Sequence, residues 1–157
     1  MKSLTLIALL LPGAAPAHEF TLGDITVEHP AIFETPVNAP VAGGYMTIVN
    51  EGPEDRLIAV RADPGIAGTI QLHEMSMSDG IMRMGAVEGG IPLPSGTTVV
   101  LEQGGLHVMF MRLGGRLTDG DEVPATLVFE EAGELDVIFE VEKRGARSEP
   151  HDHGPDG

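Results

Sequence analysis

Cysteine is absent from all 157 residues. That single absence removes disulfide frameworks, thiolate zinc sites, iron–sulfur clusters, thiol catalysis and the His2Cys blue-copper centre together. Tryptophan is absent too, and five Phe and one Tyr leave no evident platform for stacking a substrate. Basic residues are scarce: 9 Lys and Arg stand against 24 Asp and Glu, a formal charge of -15. Such a surface repels phosphate backbones, so nucleic acid and anionic membranes are poor partners. Long hydrophobic runs are missing. The apolar run at 4–11 is too short to span a bilayer, and no stable membrane anchor is expected. Whatever chemistry exists must use His, Met, carboxylates or hydroxyls.

The first 17 residues read as an export signal, with Lys2 in the n-region, the apolar run after it, and Ala15-Pro16-Ala17 fitting the small-x-small cleavage rule. Cleavage there gives a mature chain beginning at His18 and places the protein in the periplasm. That compartment is oxidising, so a chain without cysteine must take its stability from a core.

The 21 Gly and 12 Pro argue against a helical bundle. Short runs with strand character recur at 20–22, 25–27, 45–49, 57–60, 69–73, 81–87, 97–101, 106–113, 125–129 and 135–141. Eight to ten strands at this spacing make a sandwich or barrel, so one all-β domain over 18–143 is expected. Alternation is clearest at Leu135, Val137, Phe139 and Val141, with Asp136 and Glu140 on the opposite face. The Gly pairs at 43–44, 89–90, 104–105 and 114–115 are expected to be turns or bulges. Residues 144–157 hold no hydrophobic residue larger than Ala146 and are expected to form a flexible tail.

Six of the eight Met (75, 77, 82, 84, 109 and 111) fall between 75 and 111, and the same stretch is bordered or interrupted by His73 and His107. In 106–111 the strand period of two puts His107, Met109 and Met111 on one face and Leu106, Val108 and Phe110 on the other, which reads as core. Met82 and Met84 share a face by the same rule, as do His73 and Met75 if the strand runs that far. Any single Met can be plastic core filler. Filler does not explain two histidines in phase with Met on short strands. Thioether is a soft neutral ligand and imidazole a borderline one, so a His2Met2 set without thiolate or carboxylate selects Cu(I) over zinc, calcium or magnesium.

The spacing carries a resemblance. His73 is followed by ten residues and Met84, then by twenty-two residues and His107-Val108-Met109. Together with Gly80-Ile81-Met82-Arg83-Met84, Gly104-Gly105-Leu106-His107, the stretch 23–30 and Ala42-Gly43-Gly44-Tyr45-Met46, this resembles the periplasmic copper chaperones written PCu(A)C, over most of 18–142. Two departures stand out: the second spacer is one residue longer than in the family, and Ile32 and Phe33 stand near where the family often has a Trp. The resemblance implies a cupredoxin-like Greek-key β-sandwich with His73, Met84, His107 and Met109 as copper ligands. It also implies a non-enzymatic chaperone that delivers Cu(I) to the CuA subunit of cytochrome c oxidase or to a thiol-containing assembly factor.

Three further signals lie outside that motif. His151 and His153, separated by Asp152, offer nitrogen and oxygen donors for Cu(II) or are simply part of a solvated acidic terminus. His18 at a cleaved N-terminus would join an amino group to an imidazole, as a copper-dependent oxidative enzyme requires. Copper storage or resistance is a further alternative, as is a sandwich with no metal role. His29 precedes Pro30 and is expected to be structural, with its backbone held extended.

Overall fold

The computed structural model of the protein describes residues 18–145. Eleven strands follow in chain order: β1 (Glu19–Leu22), β2 (Ile25–Phe33), β3 (Val41–Asn50), β4 (Asp55–Ala62), β5 (Ala67–Ser78), β6 (Ile81–Ala86), β7 (Ile91–Leu93), β8 (Thr97–Leu101), β9 (Leu106–Leu113), β10 (Glu122–Phe129) and β11 (Gly133–Glu142). Among the described residues there is no helix, and so none long and apolar enough to cross a membrane. The one all-β domain expected from the strand spacing is what the described residues form. The alternation of β11 carries through, with Val137, Phe139 and Val141 buried.

The hydrogen-bonded path runs β6-β5-β9-β3-β2-β11-β10-β4-β7, with β1 also on β2 and β8 also on β3. The β2–β11 pair is parallel and the other pairs are antiparallel. Inward-facing residues make one core that includes Phe110 of β9 and Phe139 of β11, whose rings meet edge to face at 5.5 Å. The edge of β3 is shared: Met46 to Asn50 pair with β8, and Val41 to Gly44 pair with β9. Between those partners the chain makes a short excursion at 102–105, closed by the Glu102 N–H on Leu106 O (2.9 Å) and the Gly105 N–H on Glu102 O (3.1 Å). That excursion delivers His107 to the sheet beside Tyr45.

Three local expectations differ from the outcome. β7 went unread because it has three residues with Pro92 at its centre, below the length at which a strand pattern can be seen. Gly43 and Gly44 lie inside β3, where they are needed for close packing; a Cβ on Gly44 would stand 2.7 Å from the Phe110 ring. His29 is left-handed, at φ 48°. A register shift between Glu28 and Ala31 turns the chain there, and the His29 N–H bonds to His18 O at 2.7 Å, so the bulge overrides the preference set by Pro30.

Candidate metal centre

Strand register brings the four motif residues together. Across β5 and β9, His73 stands opposite His107 and Gln71 opposite Met109; across β5 and β6, Met75 stands opposite Met84. His73, Met84, His107 and Met109 therefore lie on one face of three adjacent strands. Leu72, Val108 and Phe110 turn the other way into the core. Met75 lies on the same face as well, because β5 continues to Ser78. A pocket of about 310 Å³ is lined by Met75, Met84, His107 and Met109 together with Phe33 and Tyr45. Met111 shares the face but pairs with Thr69 and Val41, two residues beyond Met109, and is not part of the pocket wall.

The face that carries the His and Met residues is sheltered around His107 and Met109 although it points away from the core. His107 is 4 % exposed and Met109 9 %. Tyr45 on β3 lies 6.5 Å from His107 between ring centroids, and Phe33 on β2 lies 5.3 Å from Tyr45, so two aromatic rings wall one side. Gly43 makes this possible. A Cβ there would meet the Tyr45 Oη at 2.4 Å, so any larger residue would displace the phenol. Met84, by contrast, is 53 % exposed, so the site is closed on the His107 side and open on the hairpin side.

Each imidazole has one nitrogen committed and one free to coordinate. The His107 Nδ1 lies 3.0 Å from Gly105 O; a carbonyl only accepts, so Nδ1 carries the proton and Nε2 keeps its lone pair. The His73 Nε2 lies 2.9 Å from the Gln71 Oε1, so there the roles are reversed and Nδ1 keeps the lone pair. That Nδ1 is buried and has no hydrogen-bond partner among the described residues. The two rings are 5.8 Å apart. Burial, and then the charge of His107, pushes the His73 pKa below its ordinary value, which favours the neutral form that a metal requires.

Among the described residues no three His, Cys, Asp or Glu side chains converge as a metal cage. Beside His107, the pocket wall carries the sulfurs of Met75, Met84 and Met109, and thioether is a soft, neutral donor. His18 lies elsewhere: its Nδ1 is 2.9 Å from Glu140 Oε1, and its ring stands 5.6 Å from that of His29, whose Nε2 lies 2.5 Å from Glu142 Oε1. Residues 1–17, His151 and His153 lie outside the described residues.

Comparison with known proteins gives the family and the fold. A family model described as putative lipoprotein LpqE-like matches residues 25–141. A putative lipoprotein of Leifsonia xyli subsp. xyli (strain CTCB07) is 33 % identical over 84 residues, which are 54 % of this chain and 51 % of that protein, about half its length. The copper-bound PCuAC domain from PmoF2 superposes with a TM-score of 0.67 at 30 % identity, covering 81 % of this chain and 99 % of that domain. The apo PCuAC domain from PmoF1 gives 0.68 at 26 %, with 81 % and 100 % covered. The Cu(I) form of DR1885 from Deinococcus radiodurans gives 0.57 at 25 %, with 74 % and 76 % covered. The resemblance carried by the His and Met motif is thereby borne out, and the chain belongs to the LpqE-like family with the fold of the PCuAC domains.

Proposed function

We propose that this protein is an exported copper chaperone that carries one Cu(I) between His73, Met84, His107 and Met109. The observation that carries the reading is the direct opposition of His73 and His107, each with one nitrogen free, on a face whose other donors are thioethers. The copper-bound state of a PCuAC domain sharing this fold supports it. The signal-like 1–17 segment and the lipoprotein description of the family support export to the periplasm.

Transfer proceeds by ligand exchange. An acceptor thiol gives its proton to water, its sulfur bonds to the copper, and a Cu–thioether bond breaks; the ion remains Cu(I) throughout, so no oxidant or reductant is needed. Neutral thioethers bind less tenaciously than thiolates, which sets the direction toward a cysteine-bearing acceptor, such as the CuA subunit of cytochrome c oxidase or a thiol-containing assembly factor. No catalytic turnover is required of the protein itself. The terminal His151 and His153 are proposed as separate nitrogen donors for Cu(II).

Competition with a Cu(I) chelator tests the centre. Met109→Leu and Met84→Leu keep the volume and delete a sulfur, and each is expected to weaken Cu(I) binding by roughly 10- to 100-fold with the fold retained. Unchanged affinity in both variants would return the methionines to the role of packing residues.

A further inference from the structure

The β5–β6 hairpin carries more sulfur than the four-ligand centre uses. Its turn is Asp79-Gly80, with φ of 52° and 74°, the two left-handed positions of a type I′ turn. That turn fixes the register: Ser78 faces Ile81, Met77 faces Met82, Ser76 faces Arg83 and Met75 faces Met84. The Val87 N–H donates to Leu72 O at 2.8 Å, and hydrogen-bonded rungs alternate, so Leu72/Val87, Ser76/Arg83 and Ser78/Ile81 are hydrogen-bonded. Met75/Met84 and Met77/Met82 fall on the other rungs, where opposing Cα atoms lie only about 4.5 Å apart and side chains are closest. Four thioethers thus occupy one face in two successive rungs, while Ser76, Ser78, Ile81 and Arg83 occupy the other.

Packing does not account for this segregation. β6 has β5 as its one sheet neighbour, and every residue of β6 is exposed. Met77 is 68 % exposed and Met82 48 %, so neither fills a core, and Met is not among the residues that strands favour. The inner rung lines the pocket with His107 and Met109, and the outer rung lies one step nearer the tip on the same face.

We propose that Met77 and Met82, with Met75 and Met84, form an all-thioether outer station for Cu(I), through which the ion enters and leaves the His73–His107 centre. The proposal rests on the Cu(I) reading above and adds a second, weaker binding position to it. Copper arriving at the tip bonds first to the exposed sulfurs and then moves inward as imidazole nitrogens replace them. Oxidation state is conserved at each step. The station loads weakly because it has no imidazole, and the surplus of 24 acidic over 9 basic residues attracts the cation toward the surface.

The full chain labelled with 13C at the Met methyl groups and titrated anaerobically with Cu(I) in acetonitrile tests this. The first equivalent is expected to move the Met109 methyl, and further equivalents to move those of Met77 and Met82 together. In M77L/M82L, with an unchanged thermal transition, the later phase is expected to disappear and loading from a Cu(I) chelator to slow by about tenfold. I81L, on the other face of the hairpin, is expected to keep both readouts at wild-type values. Stationary Met77 and Met82 methyls, or an unchanged loading rate in M77L/M82L, overturn the outer station. A stationary Met109 methyl instead overturns the four-ligand centre, so the two failures are distinguishable.

Discussion

His73 and His107 face each other across β5 and β9 with their prototropic roles inverted: the first donates from Nε2 to a side-chain amide, the second from Nδ1 to a backbone carbonyl. One ring is thus oriented by a side chain that can be replaced, the other by main chain that cannot.

Gln71→Leu removes the acceptor that holds the His73 tautomer while leaving both candidate imidazoles in place. Cu(I) affinity is expected to fall by roughly tenfold, and 15N spectra of the apo protein should show His73 sampling both tautomers. A single unchanged tautomer in Q71L would show that packing alone orients the ring.

The His73 pKa lies below the ordinary imidazole value of about 6.5 because of burial first and the nearby His107 second. In the unfolded chain this imidazole takes up its proton near 6.5, whereas in the folded apo protein it does so only at lower pH. The unfolded state therefore binds more protons between those two values, and stability falls as pH drops through that window. Above 6.5 the contribution is complete. Urea unfolding from pH 7.5 downward should show this slope in the wild-type apo protein and a shallower one in His73→Gln.

Gly43→Ala is expected to destabilise the apo protein by about 1–3 kcal/mol through overpacking, because its Cβ would collide with the Tyr45 hydroxyl. Displacement of the phenol should also open His107 to solvent, which faster chemical modification of that imidazole by diethylpyrocarbonate would report.

Asp55 is buried and accepts hydrogen bonds from the N–H groups of Arg56, Glu131 and Ala132. Asp55→Ala leaves three donors without their carboxylate at the β4 start and the β10–β11 turn. A loss of about 3 kcal/mol is expected, read as a lower urea midpoint.

The residues proposed for the centre could be picked out in the sequence because a period of two is enough to put His107 and Met109 in phase, a phase the β9 register keeps, and because the chain spacing links His73, Met84 and His107. The wall around them was not. Phe33 and Tyr45 reach His107 through the pairing of β2, β3 and β9, a long-range relationship that no local pattern encodes, and Gly43 signals a turn in sequence while serving as a gap inside a strand. Met75 was visible as a companion of His73 only if β5 ran past it, and the length of β5 is set by its pairing with β6. The left-handed His29 likewise follows from the shift of register in β2, which sequence near Pro30 does not announce.

The unequal shelter of the two sulfurs in the proposed centre has a chemical cost. Thioethers convert to sulfoxides in proportion to their access to oxidant, and Met84 is 53 % exposed where Met109 is 9 %. A sulfoxide presents a polar oxygen in place of the soft sulfur, so peroxide would blunt the hairpin side first while the buried sulfur of Met109 survives. Damage would then leave a protein that is folded, retains His73, His107 and Met109, and has lost the donors at its mouth.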